Sequence, residues 1–187
     1  MDNNDTHHAT TLAQYHSVIR LCQSLFEKKT EDYGTAWRIL RLPTFTDQIM
    51  IKAQRIRMIQ TMRHQAVNEP VDADFIGIVN YSIMALMQME WLDHQKMELN
   101  NQELIPLYKK IINTTLQLLG KKNHDYQEAW RAMRLTSLVD IILMKLLRIK
   151  RIEDNQGVTL ISEGIAANYQ DIINYAVFAL IKLNVVR

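Results

Sequence analysis

The sequence has few of the residues that interrupt helices or cross-link chains. Its 187 residues include one cysteine, three prolines and five glycines, and aromatic residues make up 7%. A single cysteine, Cys22, excludes a disulfide framework or a cysteine zinc site within one chain. The scarcity of proline and glycine argues against a turn-rich β protein, and the abundance of Met, Leu, Ile, Ala, Gln, Lys and Arg favours helices.

An excess of charge of one sign is also missing. The 22 basic and 20 acidic residues leave a net charge of +2, which excludes attraction of nucleic acid or an anionic membrane by overall charge alone. Uncharged apolar runs fall short of the roughly 18 residues that suggest a membrane span. The N-terminal residues are polar and acidic, unlike a secretory signal. We therefore expect a soluble, cytoplasmic protein with no membrane partner, in which any anion site is local.

The chain contains an internal repeat. The segment Lys28–Gln60 matches Lys121–Glu153 at an offset of 93 residues, with 15 identities in 33 positions. After one inserted residue, Asn80-Tyr81 matches Asn174-Tyr175. The two copies fill the chain, and we place repeat 1 at residues 10–97 and repeat 2 at residues 98–187.

Apolar spacing and the few breakers predict three helices in each repeat. We expect them at about 10–29, 46–64 and 72–92 in repeat 1, and at about 102–122, 137–155 and 162–184 in repeat 2. Thr46 and Ser137 are the predicted starts of the second helices. The segments Asp-Tyr-Gly (32–34) and Asp-Tyr-Gln (125–127) are predicted turns, each followed by a short helix through a tryptophan.

The predicted fold class is therefore all-α. It is a tandem duplication of a three-helix unit, packed about a pseudo-twofold axis as a symmetric homodimer would be, around one continuous core. A homo-oligomer of the whole chain is left open.

The third helix of repeat 2 carries a polar stripe on an otherwise apolar surface. Glu163, Asp171 and Asn174 fall within roughly 80° of one another at about 100° per residue. Two carboxylates there could hold Mg²⁺, the candidate cofactor, through oxygen ligands. The structural alternative is a buried ionic network in which Glu163 and Asp171 pair with Lys145 or Arg148 from the second helix.

The other polar positions shared by both repeats lie near the first turn and on the second helix. Lys145 and Arg148 could take phosphate oxygens, or could belong to a solvated face. Tyr33 or Trp37 could stack on a base while Lys28, Lys29 and Arg38 contact phosphate. Alternatively, the aromatic side chains beside Asp32 only pack the core. The histidines show no zinc-ligand spacing, and the chain has no phosphate loop.

The order lysine, Asp-Tyr-Gly, Trp, then Asp…Lys…Arg, then Glu…Asp…Asn-Tyr resembles the nucleotide modification associated domain family of phages and bacteria. Two copies cover about Thr10 to Leu183. The resemblance implies an association with systems that make or handle modified nucleotides. A looser resemblance is to all-α nucleoside triphosphate pyrophosphohydrolases of the MazG kind, although neither half has their Glu-Glu-x-x-Glu helix.

Each copy departs from the family pattern. The acidic position on the third helix is Gly77 in repeat 1 and Asp171 in repeat 2, whereas the turn glycine is Gly34 in repeat 1 and Gln127 in repeat 2. We therefore hypothesise one composite site that joins the turn of repeat 1 to the third helix of repeat 2.

The predicted nucleotide-binding residues are Lys28, Asp32, Tyr33, Trp37, Arg38, Lys145, Arg148 and Asn174, and the predicted metal ligands are Glu163 and Asp171. The favoured function is binding of a nucleotide or its phosphates, with Mg²⁺ as a candidate cofactor; whether a reaction is catalysed is left open. The alternatives are a non-catalytic module that binds nucleic acid or a partner protein, and a purely structural helical protein.

Overall fold

A computed structural model describes residues 3–62, 70–90, 96–126, 128–161 and 163–185 of the chain. These residues form helices and connectors, with no strand in the described ranges, as the sequence predicts. The six α-helices are α1 (Asn3–Tyr33), α2 (Leu42–Thr61), α3 (Val71–Glu90), α4 (Asn101–Tyr126), α5 (Leu135–Asp154) and α6 (Ile165–Lys182). Short 3₁₀ helices at Ala36–Ile39 and Ala129–Ala132 follow α1 and α4 and carry the two shared tryptophans.

Helices α2, α3, α5 and α6 form a four-helix arrangement in which α3 packs on α6 and α2 on α5, across the two repeats. Helices α1 and α4 lie against both α3 and α6. The third helix of each repeat is covered on several sides and is apolar almost all round, which the sequence predicts for the one in repeat 2. The buried apolar residues of both repeats form one cluster, so the predicted all-α tandem bundle with a continuous core is confirmed.

Two buried hydrogen bonds join the repeats in matching pairs. The Tyr15 hydroxyl of α1 donates to Oδ1 of Asn174 on α6 over 2.8 Å, and the Tyr108 hydroxyl of α4 donates to Oδ1 of Asn80 on α3 over 2.9 Å. Tyr15 and Tyr108 are equivalent positions, as are the two asparagines. The first helix of each repeat is therefore bonded to the third helix of the other repeat.

The first helix is longer than predicted. α1 continues through Asp32 and Tyr33, because no residue between Lys29 and Tyr33 breaks a helix. It ends at Gly34, which has a φ of +59° and donates its backbone N–H to the carbonyl of Thr30 over 2.9 Å. A left-handed glycine of this kind commonly terminates a helix.

The second helices also begin earlier than predicted. α2 starts at Leu42, with Pro43 in its first turn, where proline needs no hydrogen-bond partner for its nitrogen. The predicted start residue, Thr46, lies one turn inside the helix and is buried. α5 starts at Leu135, the equivalent of Leu42, although Thr136 stands in place of the proline in its first turn. Other predicted boundary residues lie outside the described residues: His64, Leu92, Gln127 and Ser162.

Candidate functional site

A cavity of about 450 Å³ opens in repeat 1 beside Trp37. We call it the Trp37 cavity. Its walls come from the end of α1, the 3₁₀ helix after it, α2 and α3, and every lining residue belongs to repeat 1. The side chains with rings or polar groups that line it are Phe26, Lys29, Thr30, Tyr33, Trp37, Lys52, Asn80 and Tyr81.

The Trp37 cavity combines aromatic walls with cations. Tyr33 is 73% exposed, and Trp37 is half-buried with its ring edge against Phe45. The indole Nε1 of Trp37 is buried and has no hydrogen-bond partner among the described residues. A buried N–H donor without a partner is unfavourable, and the indole Nε1 of Trp130 in repeat 2 is unpartnered in the same way.

Lys52 reaches this cavity because position 77 has no side chain. A Cβ built on Gly77 would lie 2.8 Å from Cε of Lys52. Lys52 Nζ lies 3.7 Å from a carboxylate oxygen of Asp74 and 6.0 Å from the centre of the Tyr81 ring. Arg55 bonds the other oxygen of Asp74 more closely, so the Arg55 guanidinium is the main partner of this carboxylate.

Repeat 2 arranges the equivalent residues differently. Lys145, the equivalent of Lys52, donates to Asp171 over 2.6 Å in a buried ion pair, as the structural alternative in the sequence predicts. Asp171 takes the position of Gly77, and Asn168 takes that of Asp74. The acidic residue on the third helix therefore lies about one helical turn later in repeat 2 than in repeat 1. In each repeat the equivalent lysine contacts it.

The tryptophan of repeat 2 is covered by a ring of its own chain. Phe178 stacks on Trp130, with ring centres 4.2 Å apart and planes within 6° of parallel. The residue equivalent to Phe178 in repeat 1 is Met84, which lines the Trp37 cavity. In repeat 2, the position equivalent to Met84 therefore holds a flat aromatic ring stacked on the tryptophan.

A second cavity, of about 760 Å³, contains three of the predicted residues: Lys145, Arg148 and Glu163. We call it the Arg148 cavity. It lies between the end of α5 and the connector to α6, where Arg151, Thr159 and Asn168 also line it. Asn168 is buried and donates to the carbonyls of Glu163 and Gly164.

The remaining predicted residues are placed elsewhere. Lys28 and Asp32 are exposed and do not line either cavity. Arg38 is buried against the connector between the repeats, where it donates to Oε1 of Gln88 over 2.7 Å and to the carbonyl of Lys96. Asn174 is occupied by its bond from Tyr15. The composite site is therefore divided: Tyr33 and Gly34 of its turn line the Trp37 cavity, Asp32 lines neither cavity, and Glu163 lines the Arg148 cavity.

The described residues contain no cluster of three or more side chains suited to a metal ion. Of the two predicted ligands, Asp171 is paired with Lys145 and Glu163 is exposed. Burial raises the pKa of the Cys22 thiol to about 12, so Cys22 is protonated at neutral pH and is a poor nucleophile. Burial also raises the pKa of Tyr15 and of Tyr108, which keeps both hydroxyls as donors.

Sequence reasoning left Lys52, Asn80, Tyr81 and Met84 out of the predicted site. The first three could have been found, because the repeat comparison shows them in both halves. Met84 is visible only as a difference between the halves, opposite Phe178. Its importance depends on the stack on Trp130, which no sequence pattern shows.

The fold and the site define an all-helical, internally duplicated protein with a ligand-sized cavity built within repeat 1. The family model for nucleotide modification associated domain 1 matches residues 29–89 and 122–183, one match in each repeat. The chain belongs to this family.

No curated protein and no solved structure matches the chain. The looser resemblance to pyrophosphohydrolases of the MazG kind has no support from these comparisons. Within the described ranges, none of the helices has both the length and the hydropathy needed to cross a bilayer.

Proposed function

We propose that the Trp37 cavity binds a nucleotide, with the base stacked on Trp37 and the phosphate beside Lys29 and Lys52. The observation that carries the proposal is the pairing of aromatic walls with two lysines in one cavity of about 450 Å³. Small-molecule pockets commonly measure roughly 300–1,000 Å³, so the volume suits one nucleotide.

The stacked pair in repeat 2 supports a flat ligand. Trp130 is covered by Phe178, whereas Trp37 has the smaller and more flexible Met84 at the equivalent position. A base in the Trp37 cavity would make the contact that Phe178 makes in repeat 2. The unpartnered Nε1 of Trp37 is a polar group that could read a base edge, whereas the amide of Asn80 is already bonded to the Tyr108 hydroxyl and the Cys22 carbonyl.

The charge of the cavity supports a phosphate. Asp74 is bonded most closely by Arg55, which leaves the Lys52 ammonium only a longer contact with that carboxylate. Lys29 is exposed at the end of α1. Two lysine ammonium groups at one cavity favour an anion, and lysine binds phosphate as a point charge.

This proposal covers binding and does not require a reaction. Mg²⁺ held by Glu163 and Asp171 stays a prediction, as do the contacts predicted for Lys28, Asp32, Arg38, Lys145, Arg148 and Asn174. The family description supplies an association with nucleotide modification. A nucleic acid or partner protein in place of a free nucleotide remains the alternative, and the experiment includes an oligonucleotide for that reason.

The test is isothermal titration with deoxynucleoside mono- and triphosphates, each with and without Mg²⁺, and with a short single-stranded oligonucleotide. We expect saturable binding of a nucleotide to the wild-type chain. Met84→Phe places in repeat 1 the residue that repeat 2 already accommodates, so it should fill the cavity without loss of fold. We expect it to weaken binding about tenfold or more, which corresponds to roughly 1.4 kcal/mol.

The matched control is Met89→Phe, the same substitution on the same helix at an exposed position outside the cavity. It should bind as the wild type does. Wild-type chain that binds no nucleotide, or Met84→Phe that binds with unchanged affinity, would contradict the proposal. Binding of the oligonucleotide alone would favour the nucleic-acid alternative.

A further inference from the structure

The Arg148 cavity in repeat 2 is lined by two arginine side chains without partners. Arg148 and Arg151 lie about one turn apart on α5, and both are exposed. Among the described residues, neither side chain makes a hydrogen bond or an ion pair. The third cation of the cavity, Lys145, differs because Asp171 already pairs with it. Two positive charges at this cavity are therefore not neutralised by any described contact.

A substitution between the repeats explains why Arg148 lacks a carboxylate partner. Its equivalent in repeat 1, Arg55, bonds Asp74 on α3. In repeat 2 the position of Asp74 is occupied by Asn168, which carries no charge and donates to two backbone carbonyls beside the start of α6. Repeat 2 thus keeps the arginine and lacks the acid that neutralises it in repeat 1.

A second substitution adds to the charge of the cavity. Arg151 stands where repeat 1 has Met58, an exposed apolar residue. The acidic residue among the described lining residues is Glu163, which is exposed and bonds neither arginine. The unpaired charges at the cavity therefore sum to a positive excess, and a cleft lined by one sign of charge attracts a ligand of the opposite sign.

We propose that the Arg148 cavity binds an organic phosphate, with Arg148 and Arg151 on the phosphate oxygens. A guanidinium group can donate two parallel hydrogen bonds to a phosphate, and it stays charged at neutral pH. The volume of about 760 Å³ lies in the range usual for small organic ligands, roughly 300–1,000 Å³. Val158 and Leu160 add an apolar wall that suits the organic part of such a ligand.

Either a small molecule or a nucleic-acid strand can supply the phosphate group, and the experiment separates these two sources. The Trp37 cavity and the Arg148 cavity share no lining residue. Nucleotide binding in repeat 1 and phosphate binding in repeat 2 are therefore separate proposals, and either can fail without the other.

The test is isothermal titration of the full chain with inorganic pyrophosphate, in EDTA so that no metal ion contributes. A short single-stranded oligonucleotide without a terminal phosphate is the second ligand. We expect saturable binding to the wild-type chain. Arg148→Gln and Arg151→Met should each weaken it about tenfold, because each removes a charge-assisted hydrogen-bond donor. Methionine is the residue that repeat 1 has at the position of Arg151, so this variant should keep the fold.

Glu163→Gln changes the charge of the cavity in the opposite direction. It removes the carboxylate, so it should tighten pyrophosphate binding about twofold or more. Arg57→Gln is the matched control, because Arg57 is an exposed arginine on α2 that does not line the cavity. It should bind pyrophosphate as the wild type does. Circular dichroism checks that each variant is folded.

Pyrophosphate binding that both arginine variants weaken supports the proposal and assigns a small phosphate ligand. Binding of the oligonucleotide alone, with the same losses, supports it and assigns the phosphate of a strand. A wild-type chain that binds neither ligand overturns the proposal. Binding that both arginine variants leave unchanged, or that Glu163→Gln weakens, overturns it as well.

Discussion

Gly77 and Asp171 occupy equivalent positions, and each determines where a lysine lies. The glycine lets Lys52 lie across α3 into the Trp37 cavity, whereas the aspartate holds Lys145 in a buried ion pair. Both lysines line a cavity, but Lys145 makes a close buried ion pair with Asp171, whereas Lys52 has only a longer contact with Asp74.

Gly77→Asp should move Lys52 toward the new carboxylate, as in repeat 2, and weaken nucleotide binding about tenfold, since charge-assisted hydrogen bonds contribute roughly 1.5–3 kcal/mol. Titration of the mono- and triphosphates measures the loss. Gly77→Asn is the control of matched size without charge, and it should retain more of the affinity. Equal losses in the two variants would show that bulk at position 77 is responsible and that the Lys52 charge is not.

At the same scale, the sequence predicted part of the candidate site. Tyr33 and Trp37 were identified because both repeats keep them, and both line the Trp37 cavity. Arg38 is also kept in both repeats, but it is buried against the connector at Lys96. A shared arginine looks the same in a sequence whether it binds a ligand or a backbone carbonyl, because that choice depends on distant residues.

The helices themselves follow closely from apolar spacing, which predicted all six of them. The residues at which the helices begin and end were predicted less well. They depend on local geometry such as the left-handed Gly34 and the proline in the first turn of α2. The pairing of helices was not predicted. A repeat shows which residues are equivalent, but it does not show which helices contact each other. In the structure, Tyr15 of repeat 1 bonds Asn174 of repeat 2.

This cross-bonding of α1 and α4 predicts that each tyrosine hydroxyl stabilises the fold. Tyr15→Phe leaves Oδ1 of buried Asn174 without its donor, and Tyr108→Phe does the same to Asn80. Each should lower the free energy of unfolding by about 1–3 kcal/mol, the usual cost of an unsatisfied buried polar group. Urea unfolding measures it, with Tyr33→Phe, an exposed tyrosine, as the control.

A loss below about 0.5 kcal/mol in both buried variants, similar to ordinary surface substitutions, would contradict this role. Unequal losses would instead show that the two hydrogen bonds contribute differently to stability. The two asparagines differ in one respect: among the bonds described, the Asn80 amide also donates to the carbonyl of Cys22 over 3.0 Å.

For the molecule as a whole, the continuous core means that neither repeat covers its own third helix completely: α2 packs on α3 and α5 on α6 within the repeats, and the other repeat covers the remaining sides. α3 packs on α6 and is bonded by α4, and α6 packs on α3 and is bonded by α1. The sequence anticipated a fused pseudo-dimer from the repeat alone. It could not show that the first helix of each repeat bonds the third helix of the other repeat. Two equivalent halves could also fold as separate units that lie side by side.

Separate chains of residues 1–97 and 98–187 should therefore show little helical structure alone, because each exposes the apolar surface of its third helix. Mixed or co-expressed, they should associate and regain the helical content of the whole chain, measured by circular dichroism and size-exclusion chromatography. The uncut chain is the reference. A half that unfolds cooperatively by itself would show that the repeats are independent domains.

The stack of Phe178 on Trp130 has a practical consequence. In repeat 2 the ring of Trp130 is covered by Phe178, whereas in repeat 1 no aromatic residue stands at the equivalent position beside Trp37. Trp37 and Trp130 therefore provide a comparison within one molecule. Trp130 reports the environment of a ring already covered, and Trp37 reports one still partly exposed. Spectra of chains in which one or the other is replaced, each also carrying Trp91→Phe to remove the third tryptophan, would give the reference signals for empty and occupied states before any ligand is identified.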